Sequence, residues 1–311
     1  MSKQNFGDFK VWCSEIYSLF TIPNGIKPLK RDFTRYERLI KSDDDKDDAD
    51  IEFLRNFEQR IAIYNDPPLS KTTISALMRQ YGLLVYNKKV AAKGDPMSFL
   101  KKGTDMEQEA VDLLSKIDKQ DYKLVTETIE NDYLVGRCDI FHPEKDKIID
   151  TKISWNVNAY LKARTAGISP KHWYQMQGYM ELYNVNQAEV VFLLLNTPPE
   201  LIEREKIKII NKFMIGAIDR EKYELDIENI ESAFTYNNVA IKKRYFKYKV
   251  KREPQIFEKV YRKVEKAREW FAEFDLEMRT NILVVPSEKY LAAEKNNTEP
   301  EPSKSLSLDE G

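Results

Sequence analysis

The chain is poor in the residues that build many familiar sites. Its 311 residues include two cysteines and two histidines. Two cysteines are too few for a disulfide framework, a cysteine-rich zinc site or a four-cysteine iron–sulfur cluster. Two histidines without an HExxH motif exclude that class of metalloprotease and argue against any scheme that needs several histidines. We therefore expect Cys13 and Cys138 to be reduced, with Cys138 in the core, and we expect no iron–sulfur cluster.

Three longer patterns are absent as well. No GxxxxGK(S/T) phosphate-binding loop occurs, which argues against an ATP-driven motor. No apolar run reaches the length of a membrane span, and the first ten residues lack the apolar h-region of a secretory signal. A cytoplasmic protein without a membrane partner is therefore expected. The 50 basic and 51 acidic residues nearly cancel, so only the distribution of charge can indicate a nucleic-acid partner.

Hydrophobic spacing and composition divide the chain into four regions. Residues 1–66 repeat apolar positions every three to four residues and are predicted to be a helical N-terminal region. Residues 67–200 begin at a Pro-Pro break and mix helix and strand patterns, as an α/β core does. Residues 201–286 are predicted to be a basic, helical extension. Residues 287–311, with prolines, an acidic bias and few apolar residues, are predicted to be a disordered tail.

Within residues 67–200 the patterns predict an order of elements. A helix capped near Ser70 is followed by a helix over Lys101–Ile117 with acids in its early turns. Next come three strands that form a meander, then a loop, a helix that starts after Pro170 and a strand buried on both faces. The predicted strands are Tyr122–Glu130, the two arms of the stretch Leu134–Ser154, and Ala188–Asn196.

The stretch Leu134–Ser154 carries the candidate chemistry. Its two apolar arms are joined by a turn at Pro143, which a central strand would not tolerate. Side chains alternate along a strand, so Asp150 and Lys152 share one face. A short hairpin would also bring Asp139 of the first arm beside Asp150. Two close carboxylates and an amine suit Mg²⁺, which prefers hard oxygen ligands.

Each of these signals also has a purely structural interpretation. About a third of the chain is charged, so an Asp-x-Lys triplet arises easily by chance. Glu107 near a helix start is expected from the helix dipole alone, and the helix pair Gln175 and Tyr179 fits ordinary amphipathic polarity. The apolar strand around Asp150 favours the functional interpretation, because an ionised carboxylate in a buried strand is costly unless it is paired or bound to metal.

Taken together, four motifs resemble those of the PD-(D/E)XK nuclease superfamily, in its RecB-like and lambda-exonuclease (YqaJ-like) branches. GTDMEQEA is similar to a G-x-x-x-E motif through Glu107, and GRCDIF to a G-x-x-D motif through Asp139. IIDTKIS is similar to a D/E-x-K strand, and YQMQGYMELY to a Q-x-x-x-Y helix. The resemblance covers residues 70–200. Lambda-type enzymes usually carry Glu at the position of Asp150, so this residue favours the RecB-like branch.

The resemblance implies a restriction-endonuclease-like core of order αβββαβ, with a mixed sheet flanked by helices and helical additions at both ends. It further implies a Mg²⁺-dependent DNA nuclease in which Mn²⁺ substitutes. The implied metal ligands are Glu107, Asp139, Asp150 and the backbone carbonyl near Thr151. Lys152 would orient water or compensate transition-state charge. Gln175 and Tyr179 would hold the nucleophile or the phosphate.

The same resemblance favours an exonuclease acting on double-stranded ends in recombination, repair or replication, in a phage or bacterial setting. The cytoplasm is then that of the host if a phage encodes the protein. An endonuclease, a DNA-binding protein with a nuclease-like fold but no chemistry, and an unrelated α/β enzyme stay as alternatives. A single-strand annealing or single-strand-binding protein is a candidate partner. Cleavage polarity, strand preference and oligomeric state stay open.

A basic stretch supplies candidate DNA contacts. Residues 242–268 contain twelve Lys or Arg and three Glu, with aromatic residues at 245, 246 and 248. Cations interleaved with aromatic rings suit backbone neutralisation and base stacking. The alternative is a solvated face, above all after Pro254, where apolar residues recur at helical spacing and are expected to pack. The predicted DNA-binding residues are Lys242, Lys243, Arg244, Lys247 and Lys249.

Overall fold

The computed structural model describes residues 5–23, 26–42, 45–87 and 97–279. Residues up to Phe271 form one structural unit and residues from Ala272 a second, and every site considered below lies in the first. The predicted disordered tail, residues 287–311, lies outside the described residues. Among those that are described, no helix has both the length and the apolar character that crossing a membrane requires.

Ten α-helices and seven strands form the described structure. The helices are α1 Lys30–Lys41, α2 Asp48–Asn65, α3 Lys71–Tyr86, α4 Met97–Asp105, α5 Glu107–Asp118, α6 Val157–Ala166, α7 Pro170–Leu182, α8 Pro199–Met214, α9 Arg220–Phe234 and α10 Gln255–Met278. The strands are β1 Val11–Trp12, β2 Ile129–Glu130, β3 Leu134–Gly136, β4 Ile140–His142, β5 Lys147–Ile153, β6 Gln187–Leu193 and β7 Tyr245–Lys251. A 3-10 helix over Cys13–Phe20 follows β1.

The strands form two sheets. The larger has the order β4-β5-β6-β7, in which β5 and β6 are parallel and both outer pairs are antiparallel. The smaller has the order β1-β3-β2, in which β1 runs parallel to β3. Helix α5 packs on one face of the larger sheet, with Val111 and Leu114 against Ile149 and Val191. Helices α6 and α7 pack against the other face, so the predicted mixed sheet flanked by helices is confirmed.

Several predicted elements differ in the structure. The segment before residue 20, predicted to be helical, contains β1 and a 3-10 helix. The predicted helix over Lys101–Ile117 is broken at Met106 into α4 and α5, and the strand predicted over Tyr122–Glu130 is reduced to β2. The loop predicted after Ser154 instead contains α6, whose first turn is capped by the side chain of Asn156.

The strand predicted from Leu134 is interrupted at residues 137–139, and its two halves join different sheets: β3 joins the smaller sheet and β4 the larger. Contacts with two other segments accompany the interruption. The backbone carbonyl of Asp139 accepts a hydrogen bond from the Val125 N–H at 2.8 Å. The carboxylate of Asp139 is held by Thr151 on β5. The predicted turn at Pro143 is present, as a 3-10 turn that ends at Asp146 with φ of 49°.

A buried lysine ties α4 to the ends of the two central strands. The Lys102 side chain is completely buried, and its Nζ donates to the backbone carbonyls of Ser154, Trp155 and Leu195 at 2.9–3.1 Å. Burial lowers the pKa of this ammonium to about 8. Three carbonyl acceptors satisfy the three donors of an ammonium group. Lys102 thereby fixes α4, and with it the start of α5, against the exits of β5 and β6.

Two glycines allow the N-terminal segment to lie close to α7. A Cβ at Gly178 would lie 2.5 Å from Cδ1 of Ile16 and 2.8 Å from Sγ of Cys13. A Cβ at Gly136 would lie 2.8 Å from a ring carbon of Tyr179 and 2.9 Å from the same Sγ. By contrast, a Cβ at Gly103 would meet nothing within 4 Å. The 3-10 helix therefore packs directly on the helix that carries Gln175 and Tyr179.

The regional boundaries predicted at residues 66 and 200 stay predictions.

The Gly178→Ala substitution tests this packing. Because the added methyl group would overlap Ile16, we expect the free energy of unfolding to fall by about 2 kcal/mol in urea denaturation. The double variant Gly178→Ala, Ile16→Val lacks the clashing Cδ1 and should recover part of that loss. Gly103→Ala is the control, and it should be neutral or slightly stabilising. Equal stabilities of the Gly178→Ala and Gly103→Ala proteins would contradict the close contact.

Candidate active site

The second half of β5 presents a carboxylate and an ammonium on one face of the sheet. Asp150 and Lys152 are paired in register with Val190 and Phe192 of β6, on the side that α7 covers. The Asp150 side chain is buried, 3% exposed, because it lies on a central strand beneath that helix. Lys152 Nζ lies 2.6 Å from Asp150 Oδ2. The shared face expected from strand alternation is confirmed.

Asp139 reaches the same place from the end of the interrupted strand. Its Oδ2 accepts hydrogen bonds from both the backbone N–H and the hydroxyl of Thr151, each at 2.6 Å. The Ile140–Ile149 register of β4 and β5 sets this approach. The predicted proximity of Asp139 to Asp150 is confirmed. Thr151 donates two hydrogen bonds to Asp139. The family resemblance implied that its backbone carbonyl is a metal ligand, and that role stays a prediction.

Burial and charge act together on the Asp139 carboxyl. Burial first, and then the negative charge of Asp150, raise its pKa to about 6, against the hydrogen bonds from Thr151 and the charge of Lys152. Burial alone would lower the pKa of Lys152, but the charges of Asp150, Asp139 and Glu107 outweigh it and raise that pKa. Lys152 is therefore a stable cation surrounded by three acids.

Glu107 is the third acid, and it is the first residue of α5. Its side chain is 28% exposed and lies 3.4 Å from Nη2 of Arg137. Burial and the charge of Asp139 raise its pKa, while Arg137 and Lys152 oppose that rise. Glu107 thus lies within electrostatic reach of Asp139 and Lys152, but it is held toward the guanidinium of Arg137.

Helix α7 adds a chain of side-chain hydrogen bonds to this site. Lys152 Nζ donates to Gln175 Oε1 at 3.3 Å, and Gln175 Nε2 donates to the Tyr179 hydroxyl at 3.0 Å. Both helix side chains are buried. Burial raises the pKa of the Tyr179 phenol, which keeps it protonated. The predicted helix face of Gln175 and Tyr179 is directed at Lys152, and Gln175 orients the ammonium group.

Sequence reasoning missed two neighbours of the site. Arg137, two residues before Asp139, is the ion-pair partner of Glu107. His172 precedes Gln175 by three residues on α7 and packs against Phe192. Burial, followed by the positive charge of Lys152, lowers the pKa of His172 to about 4, so its imidazole is neutral. The i, i+3, i+7 spacing of His172, Gln175 and Tyr179, which places all three on one helix face, is the signal that would have indicated His172.

The donor set suits a hard divalent cation. Within the described part of the chain, Asp150 Oδ2 is buried and receives no hydrogen bond, apart from its ion pair with Lys152. Across the described residues, no three Asp, Glu, His or Cys side chains are already grouped as a cation cage. Mg²⁺ commonly uses one or two carboxylates, and takes its remaining ligands from water and substrate phosphate. Asp139 and Asp150 match that requirement, with Glu107 nearby.

The predicted DNA-binding residues separate into two groups. Lys242 and Lys243 are exposed in a short 3-10 turn before β7, and Arg244 follows them at its end. On β7 the register places Phe246 and Tyr248 on the Asp150 face and the lysines on the opposite face. Lys247 is engaged there by Asp118 at 2.6 Å and by Glu189 at 3.5 Å, while Lys249 is exposed. The interleaved aromatic and basic strip therefore does not form a single surface.

The Asp139→Asn substitution tests the electrostatics of the site. The folded-state pKa of about 6 lies above the ordinary value of 3.8, so the folded protein retains a proton that the unfolded chain loses. This group therefore favours the folded state most below about pH 4, and that contribution is lost as the pH rises through 6. In urea unfolding with EDTA, Asp139→Asn should remove this decline between pH 4 and pH 6.

The exposed Asp121 provides the control, since Asp121→Asn should leave the pH dependence as it is in the unmodified protein. Adding Mg²⁺ should raise the unfolding midpoint of the unmodified protein more than that of Asp139→Asn. A pH dependence that survives in Asp139→Asn would assign the titration to another group.

No protein-family model and no curated protein matches the chain. Among solved structures, the chain is similar to a phage-related exonuclease from Haemophilus somnus 129PT, with 22% identity over 87% of this chain and 97% of that one and a TM-score of 0.57. It also aligns with an alkaline exonuclease from Laribacter hongkongensis, alone and in complex with dAMP, at 11% identity over 94% of this chain and 96% of that one. The TM-scores of these two alignments are 0.48 and 0.47. The first likeness shows that this chain has the fold of the phage-related exonuclease, and the fold predicted from the motifs is confirmed.

Proposed function

We propose that this protein is a divalent-cation-dependent deoxyribonuclease that hydrolyses phosphodiester bonds as an exonuclease at DNA ends. The observation that carries the proposal is the convergence of Asp139, Asp150 and Lys152 near the end of β5, where Thr151 binds Asp139 and Lys152 is paired with Asp150. An accidental Asp-x-Lys triplet would not be expected to have a second carboxylate held beside it by the residue between its Asp and its Lys. The exonuclease named among the solved structures, which shares the fold, favours hydrolysis at ends over internal cleavage.

The side chains have distinct roles in this proposal. Asp139 and Asp150 would hold the cation, expected to be Mg²⁺ with Mn²⁺ as a substitute, and Glu107 would complete the acidic side of the site. When bound, such a cation lowers the pKa of water and offsets phosphate charge. Lys152, held by Gln175, positions an ammonium group where negative charge develops in the transition state. Thr151 keeps Asp139 in place through its two hydrogen bonds.

The substrate of the proposed enzyme is DNA. The exposed Lys242 and Lys243, together with Arg244, would contact backbone phosphates at the edge of the larger sheet, where β5 and β6 end. A single-strand annealing or single-strand-binding protein would receive the strand that such an enzyme exposes. The role we propose for such an enzyme is in recombination, repair or replication, in the cytoplasm of a bacterium or of a phage's host.

The Lys152→Met substitution tests the catalytic assignment. We expect the rate of Mg²⁺-dependent DNA hydrolysis to fall roughly 100-fold or more, because a preorganised charge at the reacting phosphate is lost. Lys147→Met is the matched control, since Lys147 lies on the same strand but pairs with Glu189 on the opposite face. Binding of a labelled duplex, measured by anisotropy, should persist in both variants. A Lys152→Met protein as active as Lys147→Met would remove Lys152 from the mechanism.

The form of the DNA separates the candidate activities. With Mg²⁺, we expect linear duplex to be degraded to nucleotides or short products and covalently closed circular DNA to remain intact, as gel electrophoresis would show. Cleavage of the circle would identify an endonuclease. A protein that binds linear DNA but degrades neither substrate, with Mg²⁺ or Mn²⁺, would be the non-catalytic alternative.

A further inference from the structure

A groove of about 710 Å³ is lined in part by α7, the helix that also contributes to the candidate active site. Its walls come from the N-terminal segment, the end of α2, helix α7 and the first half of α10. Its volume falls in the range, about 300–1,000 Å³, that is typical of ligand sites. The residues that give the groove its chemistry are Phe20, Tyr64, Tyr174, Lys259, Arg262 and Lys263.

Aromatic rings form one side of this groove. Phe20 and Tyr174 stack on each other with ring centroids 4.5 Å apart, and Tyr17 lies next to Tyr174 at 6.0 Å. Tyr64, at the end of α2, is half-buried in the lining. These rings belong to three separate segments of the chain, and tertiary packing brings them together. Such rings are platforms on which unpaired bases stack.

Cations of α10 also line the groove. Lys259 and Arg262 are exposed, and neither has an ion-pair partner among the residues the structure describes. Lys263 is buried, and its Nζ donates to the Pro67 carbonyl at 3.1 Å. The lining also contains Asp66 and Glu258.

Asp66 already has a counter-charge. It is paired with Lys266 at 2.6 Å, and the hydrogen bond from that lysine, followed by the charges of Lys266, Arg262 and Lys263, holds its pKa below the usual range. Glu258 adds one exposed acid to the two unpaired cations Lys259 and Arg262, so the part of the lining that α10 contributes is net positive, in the same groove as the rings. This combination is complementary to a phosphate backbone with stacked bases.

We propose that this groove binds a segment of single-stranded nucleic acid. Rings stack on bases only where the bases are unpaired, which favours a single strand over a duplex. The inference rests on the proposed nuclease function, because α7 links the two sites. Tyr174 lines the groove, and the next residue, Gln175, holds Lys152. A strand that enters or leaves the active site around the start of α7 would pass into the groove.

The test measures binding separately from hydrolysis. In an Asp150→Asn background, which removes a catalytic carboxylate, the affinity for a fluorescent oligothymidylate is measured by anisotropy at several salt concentrations. Lys259→Gln combined with Arg262→Gln should weaken binding at least tenfold and reduce the salt slope by about 1.4, the value for two phosphate contacts on a single strand. The matched control is Arg204→Gln with Lys212→Gln, two exposed cations on α8, and it should change neither quantity.

A second variant tests the aromatic wall. Tyr64→Leu keeps the apolar volume but removes the ring, and it should weaken oligothymidylate binding roughly tenfold without altering the salt slope. Equal losses for the α10 and α8 double variants, or an unchanged affinity in Tyr64→Leu, would overturn the proposal. An equal loss of affinity for blunt duplex would also overturn it, since the groove would then not discriminate in favour of a single strand.

A further measurement distinguishes failure of the groove assignment from failure of the nuclease proposal. The same α10 and Tyr64 changes are made in the chain that retains Asp150, and degradation of linear duplex is measured. If the unmodified chain degrades DNA but the groove variants bind oligothymidylate normally, only the groove assignment fails. The opposite outcome is that neither the unmodified chain nor any variant degrades DNA, while the groove variants lose single-strand binding. In that case the nuclease proposal fails and the groove assignment holds.

Discussion

Two carboxylates close together in a largely buried site repel each other, and the candidate site depends on the groups that offset this repulsion. The pKa of Asp139 reflects this repulsion, because burial and the charge of Asp150 raise it to about 6. The hydrogen bonds from Thr151 and the ammonium group of Lys152 act in the opposite direction. A divalent cation would relieve the same repulsion, so part of this electrostatic cost would be recovered if the proposed cation binds.

The surrounding fold holds these charges in register. Lys102 fixes the start of α5 against the exits of β5 and β6, and Glu107 is the first residue of α5. The missing side chains of Gly136 and Gly178 let the N-terminal 3-10 helix lie against α7, which carries Gln175 toward Lys152. The site is therefore positioned by rigid packing on three sides. Charge placement of this kind, prepared before substrate arrives, is the usual basis of electrostatic catalysis.

The basic residues are not grouped in space as they are along the chain. The sequence places lysines and aromatic residues side by side on β7, but strand alternation puts Phe246 and Tyr248 on the face opposite the lysines. Lys247 is also paired with Asp118 and Glu189. A solvated face was the alternative interpretation of the α10 cations. Lys259 and Arg262 are exposed, and tertiary packing places them in the lining of the same groove as Phe20 and Tyr174, which come from distant segments. The proposed groove could not be found by scanning charge along the chain.

Local spacing along the chain was enough to predict part of the site. Strand alternation predicted that Asp150 and Lys152 share one face of β5, and helical periodicity predicted that Gln175 and Tyr179 share one face of α7. The turn at Pro143 predicted that Asp139 lies beside Asp150. Other features became known only from the folded chain: the interruption before Asp139, the helix α6 in place of a loop, the ion pair of Glu107 with Arg137 and the burial of Lys102. These features depend on contacts between residues far apart in the chain, and local propensity carries no information about which distant groups will meet.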